Sequence, residues 1–225
     1  FAAKAQSPVA WLQYIIAVNP TKNQKRERGT KMVVSISRPD LLTILDDITS
    51  QSYFGGTQDW YAAERRRRAG CGPTAAANLT AYLALSRPGL RPLYPYDRLN
   101  PTDFSGVCAY AESRGVSLEP HTFRVPGNRT KDRPNTSALM EFVKAGLSCD
   151  CPLGFLNLTR GKVKNLQGWH WVTVTAADIE KNKMVVTASD EGQQISLDLR
   201  LWYLTTRMSG GLVYFTHESP SPVSS

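Results

Sequence analysis

Residues 69–79 read AGCGPTAAANL: a cysteine between two glycines, followed by Pro-Thr, at the mouth of an alanine-rich run. The run predicts a helix over residues 72–86. Alanine has the highest helix propensity, and proline fits a first turn, where its missing N–H would be unpaired in any case. Ala75, Ala76, Ala77, Ala81 and Ala84, with Leu79, Tyr82 and Leu83, leave apolar surface on more than one side of that helix, so it is expected to be buried. Cys71 then opens a helix. Free N–H groups and the helix dipole favour an anion there, and a thiol pKa can fall from about 8.5 to roughly 3.5–7.5 beside a helix N-terminus or a histidinium. Packing does not need that setting; nucleophilic attack does.

A thiol nucleophile needs a base to share its proton, a group to orient the base, and a donor aimed at the developing oxyanion. The chain has three histidines. His121, in LEPHTF, precedes a Pro/Gly/Arg loop and reads as structural or exposed, and His217 lies in the tail THESPSPVSS. His170, in GWHWVTV, enters an alternating strand and is the expected base, with Trp169 and Trp171 on the opposite side shielding it. Asp190, closing VTASD on the next strand, is expected to orient it; Asp178, in the turn after the histidine strand, and Asn157, in GFLNL, are the rivals. Gln58, in GGTQDW, is expected to aid the oxyanion alongside N–H groups at the helix start, with Gln51 as the alternative. A neutral amide donates without competing for the thiolate.

The remaining cysteines compare poorly as nucleophiles. Cys108, in GVCAYAES, reads as a core residue, and Cys149 and Cys151, in CDC, lack zinc-ligand spacing and read as a loop pair. No metal or cofactor is expected.

Outward from the cysteine, the chain changes character near residue 150. Before it, helices are expected over RPDLLTILDDITSQ, where Leu41, Leu42, Ile44, Leu45 and Ile48 repeat at helical spacing, and over TDFSGVCAYAESRG and NTSALMEFVKAGL. PVAWLQYIIA at 8–17 reads as a short apolar helix, NPTKNQKRERGT as a basic loop, KMVVSIS as a short strand and SRPGLRPLYPYDRLNP as a Pro-rich crossing loop. After residue 150, CPLGFLNL, GWHWVTVTAAD, KMVVTAS, QQISLDL and GLVYF read as strands, with DEGQ as a turn and LRLWYLTTR as a short helix. Helices first and an antiparallel sheet second make one α+β domain. The expected division is an N-terminal extension over 1–50, a catalytic domain over 51–217 and a tail over 218–225.

The order Gln58, Cys71, His170, Asp190 resembles the papain-like cysteine peptidases of clan CA. The stretches TQDWYAAERRRRAGCGPTAAANLTAYL and GWHWVTVTAADIEKNKMVVTASDEGQQISLDL are similar, more narrowly, to the bacteriocin-processing peptidase family and its bacterial relatives. The resemblance covers roughly residues 53–215. It implies a papain-like α+β fold, with the cysteine helix in a helical half packed on a β half that carries His170 and Asp190. It implies thiolate attack on an amide carbonyl, an acyl-enzyme, and release by water. The glutamine stands farther upstream of the cysteine than in papain. No transmembrane or ATPase segment of the kind fused to bacteriocin exporters is read in these residues, so cleavage of a double-glycine leader is not carried over.

The 225 residues, 41% hydrophobic and 20% charged, have the composition of a globular protein, and no apolar run approaches the ~20 residues of a membrane span. The net charge of +8 gathers largely in KNQKRER and in the run Arg65 to Arg68 between Gln58 and Cys71. That run reads as a solvated loop, or as a source of positive potential for a thiolate or an acidic substrate. The expected partner is a peptide or protein substrate; nucleic acid is not expected, since no helix-turn-helix, zinc-finger or aromatic RNA-binding signature appears. Two other functions share parts of this pattern: an acyltransferase or transpeptidase on the same fold, and a non-catalytic protein gripping an anionic polymer. The chain begins at Phe1 without a methionine, as after removal of a signal peptide or trimming. Compartment and oligomeric state are not written in these residues.

Overall fold

A computed structural model describes residues 31–46, 49–94 and 111–217 of the chain. All of them belong to one compact unit. The elements run in order as β1 (Met32–Ser35), β2 (Thr43–Leu45), β3 (Ser52–Phe54), α1 (Glu64–Ala69), α2 (Cys71–Ser86), β4 (Glu119–Val125), α3 (Thr136–Ser148), β5 (Leu153–Asn157), β6 (His170–Glu180), β7 (Lys183–Asp190), β8 (Gln193–Asp198), α4 (Leu199–Thr205) and β9 (Gly210–Thr216). Short 3₁₀ turns at Pro39–Leu42, Gln58–Trp60 and Pro88–Leu93 join them.

β6 is the spine. The sheet is ordered β4-β9-β5-β6-β7-β8, with β1 also on β6. One edge of β6 pairs with β5 from His170 to Val174 and with β1 from Ala176 to Ile179; the other edge carries β7. All these pairings are antiparallel. A bulge between Val174 and Ala176 marks the change of neighbour, where Ile36 N–H donates to the Thr175 carbonyl at 3.0 Å.

Successive residues of a strand face opposite sides, and both sides of this sheet are used. On one side lies α2: Leu79 reaches Gly154, so closely that a Cβ on Gly154 would sit 3.3 Å from Leu79 Cδ1. On the other, Phe155 meets the ring of Trp202 on α4 edge to face at 4.6 Å, and Tyr214 lies against Gly146 of α3, where a Cβ would come within 2.9 Å of the ring. Trp202 is fully buried and donates its indole N–H to the Thr159 carbonyl at 2.8 Å. Burying such a side chain contributes about 2–3 kcal/mol. α2 is buried from Thr74 to Ala84 at all positions but Ala76, which accounts for its lack of a polar stripe.

The mixed helix and antiparallel sheet match the expected α+β class, and so do α2, α3, α4 and the five strands expected after residue 150. Two local readings need correction. The apolar spacing in RPDLLTILDDITSQ does not make a helix over residues 39–45: Pro39–Leu42 is a 3₁₀ turn and Thr43–Leu45 a strand, paired with β3. Described residues on both sides of residue 50, where the sequence reading set a boundary, share one sheet. β1 joins the sheet, and Ile36, Leu42 and Ile44 are in the core. Asp150 fastens this segment: its carboxylate accepts Ser37 N–H at 2.6 Å, Ser37 Oγ–H at 3.0 Å and Tyr82 O–H at 2.6 Å.

The arginine run is helical rather than a loop, forming most of α1. Arg68 pairs with Glu64 one turn earlier at 2.6 Å, and Arg67 donates to the carbonyls of Tyr61 and Ala62. β4 was hidden because its residues, EPHTFRV, include a proline and charges. As the end strand of the sheet's path it can carry both. The expected helix at 8–17, the basic loop, Cys108 with most of its helix, and the tail over 218–225 lie outside the described residues.

Candidate functional site

Cys71 is the first residue of α2, half-buried, with a free thiol. β6 begins at His170, next to the start of α2: Trp171 lies against Gly72, whose Cβ, if it had one, would meet the indole at 3.4 Å. Trp169 has a positive φ of 57°. That turn leaves Trp169 69% exposed while His170 is only 4% exposed. The expected shielding by two tryptophans is therefore half right: Trp171 packs over the site and Trp169 does not, because the strand's alternation starts one residue later.

His170 Nε2–H donates to Asp190 Oδ1 at 2.6 Å. Asp190 is the last residue of β7, delivered beside the histidine by the β6–β7 hairpin. Burial pushes the His170 imidazole down, but the hydrogen bond to Asp190, the one shared with Cys71, and the charges of both raise it to about 10. Burial likewise pushes the Cys71 thiol up. The hydrogen bond with His170, the N–H of Trp171, the charge of His170 and the N–H of Gly72 outweigh it, and the net shift is downward from 9.0. With Nε2 given to Asp190, Nδ1 is left for the sulfur. The two shifts are mutual and favour a thiolate–imidazolium pair.

The rivals are placed elsewhere. Asp178 lies toward the far end of β6 and pairs with Lys31 at 2.7 Å. Asn157 faces His170 across the β5–β6 ladder but donates Nδ2–H to its backbone carbonyl at 3.1 Å, so it holds the strand rather than the ring. Gln51 is exposed and accepts the Tyr53 hydroxyl at 2.9 Å. Gln58 joins the cluster at one remove. Its N–H donates to Glu191 Oε2 at 3.1 Å, and Glu191 Oε1 lies 3.7 Å from His170 Nε2. The Gln58 side-chain Oε1 is buried and has no hydrogen-bond partner. An amide with unmet hydrogen-bonding capacity can turn its NH₂ toward a ligand.

Two residues that sequence reasoning did not single out hold the site together. Asn78, 2% exposed on α2, accepts Gly56 N–H at 2.9 Å and donates to Thr173 Oγ1 at 3.2 Å and Ser189 Oγ at 3.3 Å. Ser189 Oγ–H donates in turn to the Phe54 carbonyl at 2.6 Å. The network ties the loop before Gln58 to α2, β6 and β7. Its only sequence signal was a polar residue in the middle of an apolar helix. Glu191, the second, looked like a turn residue.

His170, Asp190 and Glu191 could together present ligand atoms within 4.8 Å of one another. The 2.6 Å contact between His170 and Asp190 is that of a hydrogen bond. Behind Cys71, Gly56, Asn78, Trp171 and Glu191 line a cavity of only about 10 Å³. Larger spaces flank the site. One of about 530 Å³ has Arg160, Lys164, Gln167 and Asp190 on its walls, and an apolar one of about 390 Å³ has Phe123, Leu156, Trp171 and Val213. Trp171 borders both the apolar space and the small cavity beside Cys71. Among the described residues no helix is long and apolar enough to cross a membrane.

No protein-family model matches the chain, and no curated protein matches its sequence. The resemblance to the bacteriocin-processing peptidases thus finds no support there. Among solved structures, the chain is similar to UfSP from C. elegans at 7% identity and a TM-score of 0.46, over 92% of this chain. The chain spans 37% of that protein's length. A likeness at this level carries no argument about fold or activity, and the functional reading rests on the site's own geometry.

Proposed function

We propose that the protein is a papain-like cysteine hydrolase that cleaves peptide or amide bonds. The observation that supports it is a buried histidine hydrogen-bonded to Asp190 at 2.6 Å, beside a cysteine that opens a helix, the two lying close enough to shift each other's pKa. In this reading the Cys71 thiolate attacks the carbonyl carbon. The oxyanion is met by N–H groups at the start of α2 and by the Gln58 amide. His170 then gives its proton to the leaving amine, which departs and leaves a thioester. A water, deprotonated by His170, hydrolyses the thioester and restores the thiol. Asp190 holds the ring and stabilises its charged form without taking the proton. The substrate class is peptide or protein, entering beside Trp171.

The reading is tested by incubating the protein with a mixture of unfolded polypeptides and sequencing new termini by mass spectrometry, with Cys71→Ala as control. New termini that vanish in Cys71→Ala, together with a thioester adduct on Cys71 in quenched samples, support it. Equal cleavage by both proteins would sink it. A nucleophilic amine added to the reaction distinguishes water from an amine as the natural acceptor, the mark of a transpeptidase.

A further inference from the structure

The hairpin between β7 and β8 closes Asp190 against Gln193, so its two loop residues are Glu191 and Gly192. Both have positive φ, 48° and 75°. This is the geometry of a type I′ turn, whose first position favours asparagine, aspartate or glycine. A glutamate there is strained, and turn chemistry gives no reason for it. Its side chain does. Glu191 Oε2 accepts the Thr57 hydroxyl at 2.9 Å and the Gln58 N–H at 3.1 Å. The same Thr57 oxygen accepts the Asp59 N–H at 3.2 Å and so caps the 3₁₀ turn that begins at Gln58. The other carboxylate oxygen stands 3.7 Å from His170 Nε2. One carboxylate therefore holds the glutamine loop through two hydrogen bonds of the charge-assisted kind and keeps its other oxygen at ion-pair distance from the base.

We infer that Glu191 is a positioning residue: it holds the Gln58 loop in register with Cys71 and His170, so that the Gln58 amide meets the oxyanion as it forms. The inference rests on the acyl-enzyme reading above and adds a residue to it. Asp190 orients the base; its neighbour Glu191 orients the oxyanion donor. Consecutive residues of one hairpin thus set two parts of the machinery.

Two reagents isolate the effect. Iodoacetamide alkylates Cys71 by displacement of iodide, a step in which no oxyanion develops. p-Nitrophenyl acetate acylates it: sulfur bonds to the carbonyl carbon, the tetrahedral oxyanion collapses, p-nitrophenolate leaves, and water hydrolyses the thioester. In Glu191→Asn the turn gains a favoured residue and loses the reach to Thr57 and Gln58. Its ratio of acylation to alkylation rate should fall about tenfold or more, a part of what losing an oxyanion donor costs. Its melting temperature should hold or rise. Glu191→Gln, which keeps an oxygen for Thr57 and Gln58, should stay within roughly threefold of the native ratio, because the acceptor is retained. Gln58→Ala should lower the ratio too, and Glu191→Asn added to it should lower it no further, since both act through one amide. A Glu191→Asn ratio within about twofold of the native protein would overturn the inference. Should Glu191→Asn not fold, Glu191→Ala is read by the same ratio. A native protein in which neither reagent prefers Cys71 would overturn the hydrolase reading instead.

Discussion

His170 is held between a carboxylate and a thiol, and its charge state decides what the site can do. Its pKa is raised from 6.5 to about 10, while that of Cys71 is lowered from 9.0. The thiolate–imidazolium pair therefore spans the window from the depressed thiol value up to about 10. A raised base contributes stability that is complete below its unfolded pKa and lost as pH climbs through its folded one; a depressed thiol does the reverse, losing its contribution as pH falls. Turnover should accordingly follow a bell, with an acid limb below 9.0 from Cys71 and an alkaline limb near 10 from His170. A single acid limb at an ordinary thiol pKa would contradict the pair. Cys71→Ala should abolish turnover without unfolding the protein, because alanine suits a helix start. Asp190→Ala should leave partial activity, reduced by on the order of 10²–10⁴, since it orients and does not react. Steady-state rates of purified variants, with circular dichroism to check the fold, test both. Cys71, His170 and Asp190 could be singled out in the sequence because few residue types perform this chemistry and the chain offers few candidates. Glu191 could not, because its role depends on a turn that carries its carboxylate to a loop far away in sequence.

At the scale of elements, the site is an agreement among α2, the β6–β7 hairpin and the loop over 55–58, and Asn78 and Gly55 enforce it. Gly55 has φ of 75°, and a Cβ there would come within 2.2 Å of Ser189 Oγ and 2.7 Å of Asn78 Nδ2. Gly55→Ala is thus expected to unfold the loop or tear the Asn78 network, costing about 3 kcal/mol or more from clash and left-handed backbone strain together. Asn78→Ala removes three hydrogen bonds and leaves the Gly56 N–H unpaired; about 2–4 kcal/mol is expected, read as a shift of the chemical-denaturation midpoint. Elements with strong local signals were legible: α2 from its alanines, β6 and β7 from alternation. The segment over 40–45 misled because its leucines and isoleucines repeat at helical spacing, yet residues 43–45 pair with β3 and only Leu42 and Ile44 enter the core as buried residues. Periodicity reports which residues want burial; the partner decides the backbone.

Across the whole molecule, the sheet is shared between the region before the nucleophile helix and the region after it. β1 pairs with β6, and Asp150, at a positive φ of 56°, gathers Ser37 and Tyr82. Burial first, and then the Asp150 hydrogen bond, push the Tyr82 hydroxyl up to about 12, so it stays a donor across the working range. Asp150→Ala should cost about 2–3 kcal/mol by orphaning these groups, and Asp150→Asn less, since asparagine tolerates the left-handed backbone and keeps an acceptor. Thermal melts compare the two directly. This long-range closure was not legible in the sequence, because nothing local in KMVVSIS names β6 as its partner. The thiolate pair is decided by the pH dependence of iodoacetamide alkylation, with the modified cysteine mapped by mass spectrometry. Cys71 should react ahead of the exposed Cys149, with an apparent pKa below the free-thiol value of about 8.5, and His170→Ala should raise that pKa. Alkylation of Cys71 no faster than that of Cys149, with the same pKa in both proteins, would contradict it.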